Sequence, residues 1–121
     1  MNAQKIFDTV LAHARRQGKK CQITDEYGHK ICVYRNGLGS ACFVGALIKD
    51  ENYYPELEGL SVTAWEVEEV VVASIGQEIT GADMSLLEDL QLILDNYIVA
   101  EWEEAFMETA DKHKLHYTPL D

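Results

Sequence analysis

The chain has 121 residues, of which 47% are apolar, and its formal net charge is −11. This length suits one domain over residues 1–121, and the apolar fraction is too high for a disordered chain. No apolar run approaches the roughly 18 residues that a membrane helix needs, and charged residues interrupt the N-terminal stretch where a secretion signal would lie. We therefore expect no membrane partner and a cytoplasmic location.

The charge is distributed very unevenly along the chain. Residues 1–49 hold eight lysines and arginines against three acids, whereas residues 50–111 hold seventeen acids and no lysine or arginine. A solvated helix normally mixes both signs, because Glu–Lys pairs one turn apart stabilise it. Such an acidic segment repels itself, which suggests that something other than stability favours it. Direct binding of nucleic acid is a poor match to this charge, so we predict none.

The first half predicts a helix followed by a hairpin. Residues 3–17 have helical apolar spacing, with Asn2 as the N-cap and Gly18 as a left-handed residue at the end. Residues 21–24 and 29–35 predict two short strands around the turn DEYG. After the turn RNG a third strand is one alternative, but Ser40 as a cap and the spacing of the apolar residues favour a helix that stops near residue 50.

The acidic half predicts further helices. Thr63 and Glu66 form a capping box for a helix over residues 63–75, although the β-branched run within it also suits a buried strand. Ser85 and Glu88 match a second capping box, followed either by one helix of about 30 residues or by two helices with a break near Asn96. The C-terminal HYTPLD is expected to fray. The sequence thus predicts an α+β fold, mostly helical, with a small antiparallel β-hairpin packed against about four helices.

Cys42 is the most conspicuous candidate for chemistry. At the start of the predicted helix the dipole would lower the pKa of its thiol, and His29 is the histidine nearest in sequence that could act as a base. No cysteine-hydrolase signature surrounds it, so we favour a packing role and predict no catalytic residue, with Cys42 and His29 as the fallback pair. A mixed metal site from Cys21, Cys32, Cys42 and His29 lacks the usual ligand spacing, so neither a metal nor a cofactor is predicted.

The middle of the chain carries an extended motif. It runs C-x-Y-R, then G-x-x-C-x-V-G-x-L-I-x-D-x-x-Y, then E-G, at Cys32, Tyr34, Arg35, Gly39, Cys42, Val44, Gly45, Leu47, Ile48, Asp50, Tyr53, Glu58 and Gly59. With the opening MNAQKIFDTVLAH and the later LLEDLQLILDNYIVAEWEEAF, it resembles a family of small proteins encoded by tailed bacteriophages. That family has no settled activity. The resemblance implies a non-virion phage product made in the cytoplasm of a bacterial host.

These observations lead to a functional hypothesis with two alternatives. We expect an acidic accessory protein that binds a basic surface of a host protein and inhibits or redirects it, for example as an anti-defence inhibitor or a nucleic-acid mimic acting through residues 50–111. The candidate contact residues are Glu66, Glu68, Glu69, Glu101, Glu104, Glu108, Tyr53 and Tyr54. The alternatives are a cysteine-dependent enzyme using Cys42, and a homo-oligomer in which the basic part of one copy docks head to tail on the acidic part of another.

Overall fold

The computed structural model describes residues 2–120 and has the predicted α+β architecture. Its helices within that range are α1 (Ala3–Gln17), α2 (Trp65–Ile75), α3 (Gly81–Asn96) and α4 (Trp102–Lys112). Strands β1 (Gln22–Thr24) and β2 (Lys30–Cys32) form an antiparallel hairpin in which Ile23 lies opposite Ile31. Short 3-10 turns occur at Gly45–Leu47, Asp50–Asn52, Pro55–Leu57 and Val99–Glu101. None of the helices in the described part of the chain has the length and apolar character needed to cross a membrane.

Helix α1 has the predicted bounds and caps. The Asn2 side chain accepts a hydrogen bond from the Lys5 N–H, and Gly18 ends the helix with φ 64°. All five apolar residues of its predicted stripe are buried, namely Ile6, Phe7, Val10, Leu11 and Ala14. Local capping and helical spacing are therefore sufficient to define this element.

An aromatic cluster joins α1, the central loop and α4. The Phe7 and Phe106 rings meet edge to face with centroids 5.9 Å apart, and Phe43 lies 5.0 Å from Trp102 and 5.4 Å from Phe106. Edge-to-face aromatic pairs add to the stability that apolar burial provides. The loop after the hairpin is thus part of the core, even though it contains little regular structure.

The prediction of a helix from Ser40 to about residue 50 is wrong. The chain reverses after Asn36, and Arg35 and Ala41 form an isolated antiparallel bridge, as in the strand alternative. Ser40 is buried rather than capping a helix, and only Gly45–Leu47 make a 3-10 turn. The reason is a contact across the loop. The Cys42 N–H donates to the Tyr34 carbonyl at 3.0 Å, so this N–H bonds to the neighbouring segment and not within a helix.

Both predicted capping boxes are misplaced, although the helices themselves exist. Helix α2 begins at Trp65 with no side-chain cap, and the Thr63 hydroxyl instead shares a hydrogen bond of 2.9 Å with the Ser61 hydroxyl in the preceding turn. Helix α3 begins one turn before Ser85, where Thr80 and Asp83 make the reciprocal pair of bonds that defines a capping box. The buried-strand alternative for residues 70–74 is also wrong, since they lie within α2.

Of the two alternatives for the last helical region, the one with a break near Asn96 is confirmed. In the C-terminal stretch HYTPLD, which we expected to fray, residues 116–118 contact α1, and Asp121 lies outside the described residues. Helix α3 ends at Asn96, and a 3-10 turn separates it from α4. The tail is held on α1: Gln4 exchanges two hydrogen bonds with the His116 backbone, and Arg15 donates to the Thr118 carbonyl at 2.8 Å. These polar contacts and the partly buried ring of Tyr117 order the tail.

Candidate functional site

The acids and aromatics of the central motif form one hydrogen-bonded network around Glu58. Its carboxylate accepts bonds from the backbone N–H groups of Tyr34 at 2.8 Å and Arg35 at 3.1 Å, and from the Tyr53 hydroxyl at 2.7 Å. Burial and the bond to Glu58 raise the pKa of Tyr53 to about 12. These bonds fix the loop that carries Glu58 to the segment that follows β2. We call Glu58, Tyr34, Arg35, Tyr53 and Asp50 together the Glu58 network.

Arg35 completes the Glu58 network from the other side. Its guanidinium lies over the Tyr53 ring, 5.1 Å from the centroid, and its terminal nitrogens donate to Asp50 and to the Ile48 carbonyl. A planar, permanently charged guanidinium suits such simultaneous stacking and hydrogen bonding. Tyr53, a predicted partner contact, is therefore already engaged within the chain, whereas Tyr54 remains 38% exposed.

Cys42 is a packing residue in this structure. It is fully buried, its Sγ accepts a hydrogen bond from the Gly45 N–H at 3.1 Å, and burial raises the pKa of its thiol strongly. The prediction that a helix dipole lowers the pKa of the Cys42 thiol is wrong, because Cys42 does not begin a helix. The predicted packing role is confirmed.

The histidines and the other cysteines do not complete a site around Cys42. His29 is exposed on the hairpin beside Asp25, and the His13 ring bonds to the Ala41 carbonyl at 2.9 Å. Cys21 is also buried, which raises its pKa to about 11. Within residues 2–120 no group of three or more histidine, cysteine or acidic residues is arranged to hold a metal ion. The Cys42 side chain itself has no exposed surface in this structure.

Several acids of the 50–111 segment are paired with cations from elsewhere in the chain. Arg15 binds Glu103 through two nitrogens at 2.6 and 3.0 Å, and Tyr117 donates to the same carboxylate at 2.6 Å. Burial opposes ionisation of Asp89, but bonds from His113 and Lys112 outweigh it and lower its pKa. Cations from outside the 50–111 segment therefore neutralise Glu103 and Asp89.

The acids predicted on α2 surround an exposed tryptophan. Trp65 begins the helix and is 70% exposed, and Glu69 follows it one turn later on the exposed side. Glu66 and Glu68 are half-buried in the first turn, where the positive end of the helix dipole stabilises acids. These acids consequently have a local structural explanation.

The acids predicted on the last helix are arranged differently. Glu101 precedes α4, and its carboxylate accepts a bond from the Ile98 N–H at 3.1 Å. Glu104 and Glu108 are exposed on α4, and Asp111, absent from our predicted set, continues the same side at i+7. We call Glu104, Met107, Glu108 and Asp111 the α4 face. Helix α2 packs on the 3-10 turns near residues 45–52, whereas α4 packs on α3.

Sequence reasoning missed the exposed apolar residues near these acids. Helical spacing predicts that Tyr97 and Ile98 continue the apolar stripe of the last helical region, yet they are 38% and 63% exposed in the turn between α3 and α4. Met107 is half exposed between Glu104 and Glu108. The break at Asn96 was the available signal, because residues beyond a break no longer follow the phase of the preceding helix.

A separate groove of about 500 Å³ lies between the end of β2, the 58–62 loop and α3. Its walls include Val33, Leu60, Val62, Glu88, Leu92 and Asp95. Burial raises the pKa of Asp95, although the bond to Cys32, the positive charge of Lys20 and the bond to Gln91 partly oppose the rise. We call this feature the Asp95 groove; its volume is within the range of small-molecule and side-chain binding sites.

Comparison of the chain with family models, with curated proteins and with solved structures finds no match.

Proposed function

We propose that this protein is a binding protein that engages a basic surface of a partner protein through the α4 face. The observation that supports this most directly is a row of like charges that lowers the stability of its own helix. Glu104, Glu108 and Asp111 follow one another at i, i+4 and i+7, and none of them forms an ion pair with another described residue. Like charges at these spacings destabilise a helix by a few tenths of a kcal/mol per pair.

The position of these acids along α4 strengthens the argument. Asp111 lies in the last turn, where the helix dipole favours cations over anions. Lys112 also lies in that turn, but its ammonium is paired with Asp89 at 2.9 Å, and Asp111 has no ion-pair partner among the described residues. Burial of the face against a basic partner would convert this local cost into favourable interaction.

The apolar residues near the acids fit a protein partner. Met107 interrupts the acidic row, and Ile98 and Val99 are exposed in the turn that leads into α4. Interfaces combine apolar contact area with charged rims, and methionine adapts to irregular partner surfaces. These apolar residues would not contribute to the binding of a small inorganic cation.

The resemblance to small tailed-phage proteins suggests which partner to seek. On that basis the partner is a bacterial host protein with a basic surface, such as a nucleic-acid-binding defence component, which the α4 face would inhibit or redirect in the host cytoplasm. The acidic row would then occupy a groove that normally accepts phosphates.

A capture experiment with paired variants tests this proposal. The full chain is immobilised in three forms: wild type, Glu104→Lys/Glu108→Lys, and Glu66→Lys/Glu69→Lys. The two variants carry the same change in charge, but only the first alters the α4 face. We expect a bacterial lysate to yield a protein that the wild type and the α2 variant retain and the α4 variant loses. A partner retained equally by all three forms, or lost only by the α2 variant, contradicts the proposed site.

A further inference from the structure

We infer that the chain forms a twofold dimer in which the Asp95 groove of each copy receives a basic, leucine-tipped surface of the other. This inference concerns a different part of the molecule from the α4 face and does not depend on the proposed function. Both complementary surfaces belong to the chain itself, which is why a second copy is the occupant that we propose.

The receiving surface combines two carboxylates with an apolar wall. Glu88, Leu92 and Asp95 follow one another at i, i+4 and i+7 on α3, so they share one side of that helix. Leu92 is 49% exposed, and buried Val33 and Val62 contribute apolar wall to the same groove. An apolar centre with acids at both ends is complementary to an apolar side chain flanked by cations.

The chain carries such a surface beside the hairpin. Lys19, Lys20, Lys30, Ile23 and Leu38 lie around a second depression of about 420 Å³. Leu38 is 86% exposed, the highest value among the large apolar residues that the structure describes. Lys19 and Lys30 form no ion pair with any other described residue, so their charges are available. We call this surface the Leu38 ledge.

The loop that presents Leu38 is held in a defined conformation. The Leu38 N–H and the Ser40 N–H both donate to Asn36 Oδ1, at 2.8 and 3.2 Å. Gly37 and Gly39 on either side have φ values of 75° and 91°, which glycine adopts without strain. Since the loop is already ordered, docking of Leu38 would cost little additional conformational entropy.

The ledge and the groove adjoin each other across the hairpin, which favours a reciprocal arrangement. Gln22 lines the ledge and Cys32 lines the groove, and these two residues are cross-strand neighbours with Nε2 and Sγ 3.8 Å apart. When two complementary surfaces are adjacent, a twofold axis can satisfy both contacts at once, whereas a head-to-tail contact leaves one of each open. A typical specific interface buries about 800 Å² per partner, roughly a tenth of the chain's 7031 Å² surface.

Two charge-reversal variants of the full chain test the dimer. The ledge variant is Lys19→Glu/Lys30→Glu, and the groove variant is Glu88→Lys/Asp95→Lys. Sedimentation is measured at physiological salt and about 100 μM chain, a concentration at which even a dimer with a micromolar Kd forms. The wild type should then show twice the chain mass of 13.7 kDa. Each variant alone should sediment as a monomer, because like charges then face each other.

Mixing the two variants is the decisive step. In an equimolar mixture the acidic ledge meets the basic groove and the acidic groove meets the basic ledge, so both contacts return and the dimer mass should be restored. The mixed dimer has the same total charge as two wild-type chains, so net repulsion is unchanged. A wild-type monomer, dimerisation of each variant alone, or a mixture that stays monomeric each overturns the inference.

Two further variants keep the test independent of folding defects and of the proposed function. Leu38→Ser changes one exposed loop residue and should weaken dimerisation at least tenfold; an unchanged dimer would overturn the inference. Glu104→Lys/Glu108→Lys alters charge as much as the groove variant but lies outside the groove, so it should remain dimeric. If Glu104→Lys/Glu108→Lys loses partner capture while its dimer remains intact, the loss is due to the α4 face alone.

Discussion

Replacing Gly45 by alanine should destabilise the protein by about 1–3.6 kcal/mol, with a central value of about 2.3 kcal/mol. A Cβ at this position would lie 2.3 Å from the Tyr34 carbonyl oxygen and 3.2 Å from Cys42 Sγ. The oxygen belongs to the backbone and already accepts the Cys42 N–H at 3.0 Å, so relief of the clash would break that bond. Overpacking typically costs about 1–3 kcal/mol and a lost hydrogen bond about 1 kcal/mol, which reduced entropy of the unfolded chain offsets by about 0.4–1 kcal/mol.

Thermal unfolding followed by circular dichroism measures this effect directly. For a chain of this size the expected loss corresponds to a decrease in Tm of about 10 °C. Gly81→Ala is the matched control, because a Cβ there meets nothing within 4 Å and the residue begins α3. The control should leave Tm unchanged or raise it slightly. A Gly45→Ala variant as stable as the control would refute the close approach of the loop to Tyr34.

Three other predictions concern buried and paired groups. Cys42→Ser should lower stability by about 1–3 kcal/mol while partner capture persists, and iodoacetamide should leave Cys42 of the folded wild type unlabelled; rapid labelling at neutral pH would revive the nucleophile. Glu58→Gln should cost about 1.5–3 kcal/mol in denaturant unfolding, since charged hydrogen bonds to two backbone N–H groups and Tyr53 are weakened; an unchanged midpoint would show that the network contributes nothing. Because the pKa of Asp89 is lowered in the folded state, its ionisation stabilises the fold at pH values above its ordinary pKa of 3.8, and this contribution is lost as the pH falls through the folded-state pKa. Asp89→Asn should therefore lose stability less steeply in acid than the wild type. An identical dependence of stability on pH in the two proteins would contradict the assignment.

Sequence reasoning succeeded where the determinants of structure are close together in the chain. Helix α1 is defined by Asn2, Gly18 and a continuous apolar stripe, all within seventeen positions of one another. The hairpin follows from a turn signal and two short β-prone runs. It failed for residues 40–50, because the conformation there depends on how closely Gly45 approaches Tyr34, a packing relation that helical spacing does not encode.

The candidate site was only partly predictable for the same reason. Glu104 and Glu108 follow from helical spacing, but the pairing of Arg15 with Glu103 joins residues 88 positions apart, which sequence spacing cannot reveal. The engagement of Tyr53 by Arg35 and Glu58 likewise depends on a fold in which the loop returns to β2. Exposure of Ile98 follows from the break at Asn96, whereas exposure of Met107 depends on how α4 packs against α3, which the sequence does not encode.

The most direct test of the proposed function is the association rate constant for the captured partner, measured at low and at physiological salt. Exposed charges act mainly on encounter, and the Debye length falls to about 8 Å at physiological ionic strength. We predict that Glu104→Lys/Glu108→Lys slows association at least tenfold at low salt, that Glu66→Lys/Glu69→Lys slows it much less, and that the difference shrinks as salt rises. An α4 variant that associates at the wild-type rate in low salt would contradict the assignment of the α4 face as the binding site.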